Sequence, residues 1–116
     1  MTTLESIKDV HGILERIEAD SGPIEWRQFL AEIGYGALDE RFSFYSGLAS
    51  PSDIFDSEIA SQMPSNLQFF GDDMAGASFG FVENSTAIFM VDATAPEEVV
   101  EIEDSFDNFL KSWFLD

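Results

Sequence analysis

The chain reads as a single α+β domain, a mostly antiparallel sheet packed by N-terminal and C-terminal helices. Three observations predict this. Between Phe69 and Asp92, apolar runs with polar alternation are separated by short turns rich in Gly, Asp and Asn, the pattern of strands joined by tight reversals. Near both ends, apolar residues instead recur at helical spacing. Finally, 116 residues with 45% apolar content and twelve Phe are enough for one domain that buries about two thirds of its unfolded surface.

Leu4, Ile7, Val10, Leu14 and Ile17 predict an amphipathic helix over residues 3–19, opened by a Thr2/Glu5 capping box and ended by Asp20-Ser21-Gly22. Pro23 then opens a second helix, where its missing N–H costs nothing. Trp26, Phe29, Leu30 and Ile33 form the apolar face of that helix, and Gly34 and Gly36 close it. Phe42 and Phe44 alternate with polar neighbours and predict a strand at 41–46. Ser50-Pro51-Ser52-Asp53 is a helix start: Ser caps, Pro takes the first position and Asp faces the helix dipole. The polar stretch 61–66, with Met63-Pro64, reads as a loop.

Strands are expected near 67–71, 77–83 and 86–92. Asp72-Asp73 with Gly76 forms the first turn between them, and Glu83-Asn84-Ser85-Thr86 the second. Ala93 to Pro96 is a short loop. Residues 97–103 fit either class, since Val100 and Ile102 alternate as in a strand while Glu97, Glu98 and Glu101 tolerate a helix. Phe106, Phe109, Leu110, Trp113 and Phe114 follow i, i+3, i+4, i+7, i+8, so a terminal helix lays an aromatic stripe on the sheet.

The order of several motifs resembles the SMI1/KNR4 (SUKH) superfamily. Pro23-Ile24-Glu25-Trp26-Arg27-Gln28-Phe29-Leu30 resembles its Pro-led early helix ending in Phe-Leu. The stretch from Ser46 to Phe55, with Ser50-Pro51-Ser52-Asp53-Ile54-Phe55, resembles its Pro-Asx-Ile-aromatic turn before the sheet. Phe69-Phe70-Gly71-Asp72, its Gly-containing turn and the aromatic strand after it resemble the family core. Asp104-Ser105-Phe106-Asp107-Asn108-Phe109-Leu110 resembles its closing helix. The resemblance spans roughly residues 20 to 115. Ile33-Gly34-Tyr35-Gly36 departs from it, because the family usually has Asn-Gly there.

The charge is extreme and uneven. Five Lys/Arg against 23 Asp/Glu give −18. Between Arg41 and Lys111 there are thirteen acidic residues and no Lys or Arg. Such a field repels nucleic acid and anionic membrane and speeds encounter with a basic partner. A surface adapted for solubility or a salt-rich habitat would show the same composition. The absence of Cys excludes disulfides, thiolate chemistry and Cys-based zinc sites. No apolar run approaches the roughly 20 residues that span a bilayer, and Met1-Thr2-Thr3-Leu4 shows no signal-peptide pattern, so a cytoplasmic location is expected.

Candidate chemistry is sparse. Gly76-Ala77-Ser78-Phe79-Gly80 has the G-x-S-x-G spacing of a nucleophile elbow, but that motif needs a strand–turn–helix and a His base. Here the strand pattern continues through Ser78, and the one histidine, His11, lies on the first helix. Asp72, Asp73 and Asp92 are the ligand type for hard cations, yet they lack EF-hand spacing and fit turn residues that bond their own backbone. Asn84-Ser85-Thr86 matches a glycosylation sequon and fits a hairpin turn equally well. No enzyme activity, cofactor or metal is expected.

What the resemblance implies is a bacterial immunity protein, one that binds and neutralises a cognate toxin domain, often a nuclease, in the producing cell. The acidic surface agrees with capture of a basic partner, and Asp72, Asp73, Glu97, Glu98, Glu101 and Glu103 are the candidate contact residues. The alternative is a non-catalytic interaction scaffold or regulatory module of the same superfamily, for which an exposed apolar groove would matter more. Oligomeric state is left open by the sequence.

Overall fold

The computed structural model describes residues 2–115. It contains helices α1 (Thr3–His11) and α2 (Ile24–Glu32), strands β1 (Gly36–Leu38) and β2 (Phe42–Ala49), the short helices α3 (Pro51–Ile54) and α4 (Ser57–Ala60), strands β3 (Leu67–Asp72), β4 (Ala77–Val82), β5 (Ile88–Asp92) and β6 (Val99–Glu103), and helix α5 (Phe106–Leu110), which runs into a π-helical turn, Lys111–Leu115. The six strands form one antiparallel sheet in the order β1-β2-β3-β4-β5-β6. Each strand therefore pairs with its chain neighbours, and the fold is α+β as the sequence predicts. No helix among the described residues is long and apolar enough to cross a membrane.

The two sheet faces bury different sets of side chains. On one, Phe42, Phe44, Phe70, Phe79, Phe81 and Ile88 pack against Trp26, Phe29, Leu30, Phe106, Phe109, Leu110 and Phe114 from the helices. On the other, a smaller cluster of Met63, Leu67, Phe69 and Val91 gathers Tyr45, Phe55, Ile59, Phe89 and Val99. Phe69 and Phe70 serve opposite faces although adjacent, as period-2 alternation requires. Phe69 pairs with Gly80, so Phe70 shares its face with Phe79 and Phe81, the residues that flank Gly80.

The Thr2/Glu5 capping box forms as the sequence predicts. The Thr2 hydroxyl accepts from the Glu5 N–H and the Glu5 carboxylate accepts from the Thr2 N–H. At the start of α3 the Ser50 N–H and hydroxyl both donate to the Asp53 carboxylate (2.9 and 3.0 Å). The uncertain segment resolves as strand β6, with Met90 paired to Val100 and Val91 to Val99.

The first helix is shorter than its periodicity predicts, ending at Gly12 (φ 87°) instead of continuing to residue 19. The reason lies in the second helix. The Leu14 N–H donates to the Ile33 carbonyl (2.7 Å) and the Ile17 N–H to the Leu30 carbonyl (3.1 Å). The extended segment after Gly12 thus satisfies C-terminal carbonyls of α2 that a helix leaves unpaired, and a helical 12–19 would withdraw those donors. Glu15 then bridges to Tyr35. Gly34, with φ 117°, lies where a Cβ would collide with the Glu15 carbonyl oxygen, so the bridge needs glycine twice over, for conformation and for space.

Gly34→Ala is expected to lower unfolding stability by about 2 kcal/mol, measured by chemical denaturation. Gly47→Ala, where the added methyl meets open space, is the control and should shift the midpoint far less.

Candidate functional site

In an up-and-down meander the connections alternate between the two ends of the sheet. The β1–β2, β3–β4 and β5–β6 turns therefore share one end. The register fixes their proximity: Ser43 at the start of β2 pairs with Asp72 at the end of β3, Ala77 pairs with Asp92, and the Ala93 N–H donates to the Gly76 carbonyl (3.2 Å). The three turns contribute Asp39 and Glu40, Asp72 and Asp73, and Asp92, Glu97 and Glu98. Distant in sequence, these carboxylates become a single acidic rim.

Each turn uses part of its acidity to hold its own shape. The Asp72 carboxylate accepts from the Met74 N–H (2.8 Å) and from the Tyr45 hydroxyl (2.8 Å). Asp73 Oδ1 accepts from the N–H groups of Ala75 (2.9 Å) and Ala77 (3.0 Å). Asp92 Oδ1 accepts from the Thr94 N–H (2.9 Å) and hydroxyl (2.7 Å). These are the self-bonded aspartates expected of turns. Partial burial, reinforced by the hydrogen bond to Asp72, holds the Tyr45 phenol far above its ordinary range. Tyr45 is therefore a fixed donor across all physiological pH, tying the β3–β4 turn to β2.

Glu97 and Glu98 are exposed on the β5–β6 loop. The basic group of the rim, Arg41, is engaged within it. Its Nε lies 3.0 Å from Asp39, and its guanidinium sits 5.5 Å from the centre of the Phe114 ring. His11 fastens the helical layer to the same place, with Nε2 2.8 Å from the Phe114 carbonyl oxygen and Nδ1 3.8 Å from the Asp39 carboxylate.

The six candidate residues are thus only partly brought together. Asp72, Asp73, Glu97 and Glu98 lie on the rim. Glu101 is exposed midway along β6, paired with Phe89, and Glu103 lies at the far end of that strand, paired with Ile88 and accepting from the Ser112 hydroxyl (2.8 Å). Asp39 and Glu40 belong to the rim but were not among the sequence candidates. Their signal is the Asp39-Glu40-Arg41 break between the apolar Leu38 and Phe42, but the strand expected at 41–46 has no predicted partner ahead of it, so the sequence alone does not predict a hairpin there. Both residues carry positive φ (54° each), the left-handed geometry of a tight reversal.

The remaining motifs receive structural explanations. Ser78 is buried inside β4 and paired with Asp72 and Val91, so no strand–turn–helix elbow forms there. Gly76 (φ 109°) completes the β3–β4 turn, and the missing Cβ of Gly80 leaves room for the Gln68 carbonyl. Asn84 (φ 66°) and Ser85, which accepts from the Ala87 N–H, form the β4–β5 turn. Among the described residues, no group of three or more His, Asp or Glu is placed to hold a metal ion.

The Thr94 backbone N–H, followed by its hydroxyl, holds the Asp92 carboxyl below the ordinary aspartate range. A lowered folded-state value contributes stability above the unfolded pKa of about 3.9 and loses it as pH falls through the folded value. Carboxyl titration by NMR should show Asp92 titrating low, and Thr94→Val should move it part of the way back. No family model, curated protein or solved structure matches the chain.

Proposed function

We propose that this chain is an immunity protein, which captures a basic bacterial toxin domain on the acidic end of its sheet and neutralises it in the cytoplasm of the producing cell. The observation that carries the reading is the rim itself: three turns from separate parts of the chain present seven carboxylates around one arginine that is already paired. Carboxylates so gathered repel one another unless they are screened or matched by cations. A nuclease is the toxin that fits best, because it carries Lys and Arg where it holds phosphate. An acidic rim seated over that groove excludes the nucleic acid. The SMI1/KNR4-like order of motifs points to the same class of partner.

A second reading, the interaction scaffold, draws on a different surface. Val10, Ile13, Ile17 and Ile24 are exposed apolar residues on the N-terminal side. A partner docked there would be insensitive to salt.

The deciding test expresses the C-terminal domain of the open reading frame beside this gene, alone and with this chain. The expected outcome is growth arrest relieved by co-expression, with relief lost in the Glu97→Lys/Glu98→Lys variant. With the purified pair, affinity should fall at least tenfold, as an order of magnitude, between 50 and 500 mM salt, over which the Debye length shrinks roughly threefold. Affinity that stays flat across this range and falls on Ile13→Asp and Ile17→Asp would replace the immunity reading with the scaffold.

A further inference from the structure

The acidic rim continues onto an open edge of the sheet. β6 has β5 on one side and, among the described residues, no strand on the other. In antiparallel pairing every second residue turns its N–H and C=O away from its neighbour, so this five-residue strand presents unpaired backbone groups to solvent. The opposite edge is less available: β1 is only three residues long, and the chain just before it is held by the Glu15–Tyr35 bridge. Free edges template further pairing unless they are guarded.

β6 is guarded in one sense only. A register shift interrupts it opposite Ile88 and Phe89, and Glu101 stands exposed at its centre. Val100, beside it, is 48% exposed and points to the other face of the sheet. A second copy of this chain pairing through β6 would bring its own Glu101 and Glu103 against these carboxylates, and like charges across a strand pair are destabilising. A strand bearing Lys or Arg reverses that sign. Glu97 and Glu98 immediately precede the strand, so the edge and the rim form one continuous acidic surface.

We propose that β6 receives an extended basic segment of the protein partner as an added strand. Backbone pairing supplies the register, Lys or Arg of that segment meets Glu101 on one face, and an apolar residue covers Val100 on the other. This inference rests on the acidic-capture reading and specifies how the partner is held.

Its test is amide hydrogen exchange by NMR on the isotope-labelled full chain. The probe is an end-capped Lys-Val-Lys-Val-Lys peptide, and the comparator is the same peptide N-methylated at every residue, which keeps the charge and removes the N–H donors. The expected result is slower exchange within Val99–Glu103 on adding the unmodified peptide. The methylated peptide should bind about tenfold more weakly or worse. Glu101→Lys, an exposed substitution, should abolish the protection while circular dichroism stays unchanged. Equal binding of both peptides, with shifts confined to the rim turns, would overturn strand addition and leave acidic capture standing. No binding of either peptide at low salt would sink both. Protection of β6 that grows with protein concentration in the absence of peptide would assign the edge to a second copy instead.

Discussion

The aromatic face of the sheet is the constraint on which the rest of the structure depends. Phe42 stands at its centre, with its ring centroid 4.6 Å from Phe44, 5.2 Å from Phe79, 5.3 Å from Phe109 and 5.6 Å from Trp113. Phe70 links the same face to Phe81 and Phe106. Many of these contacts are edge-to-face, the geometry that aromatic quadrupoles favour. Burying each ring is worth roughly 1.5–3 kcal/mol, so slipping one strand by one residue would forfeit several such terms at once. This locks the register of β2, β3 and β4, and with it the position of every turn at the sheet ends.

That rigidity bears on the charge. A chain at −18 carries a self-repulsion that works against compactness, and the fold manages it by geometry. The carboxylates stand on turns, on helix surfaces and on an edge strand, where water screens them, while both sheet faces are given to apolar packing. Several also work locally, as Asp73 and Asp92 do by accepting the N–H groups of their own turns. Three of the five Lys/Arg are held in pairs: Lys8 with Glu32, Arg41 with Asp39, and Lys111 with Asp107. The rim is left strongly negative around a stable backbone, which is the condition for fast, salt-sensitive capture of a cationic surface.

Much of the fold was legible because it rests on local chemistry. Pro and Asx residues at Ser50–Asp53, the Asp72-Asp73 turn and the Phe106–Phe114 stripe act within a few residues of themselves. The N-terminal segment carries a signal with two valid solutions. Leu14 and Ile17 continue a helical period, yet their backbone is drawn out to cap α2, a demand that arises only once α2 is in place. Residues 97–103 alternate weakly because β6 is an edge, with Glu101 exposed where a buried strand would carry a branched apolar residue.

The candidate site divides in the same way. The sequence by itself determined the amount of charge, the absence of thiol chemistry, the turn character of Asp72-Asp73 and the acidity of the segment from Glu97 to Asp107. Only the tertiary structure decided which of these carboxylates face one another. Sheet order gathered Asp39 and Glu40 with Asp72, Asp73, Glu97 and Glu98, and carried Glu103 to the opposite end. Composition and local pattern fix what each residue prefers to do. Proximity between turns tens of residues apart is set by strand order and register, which belong to the packed sheet as a whole.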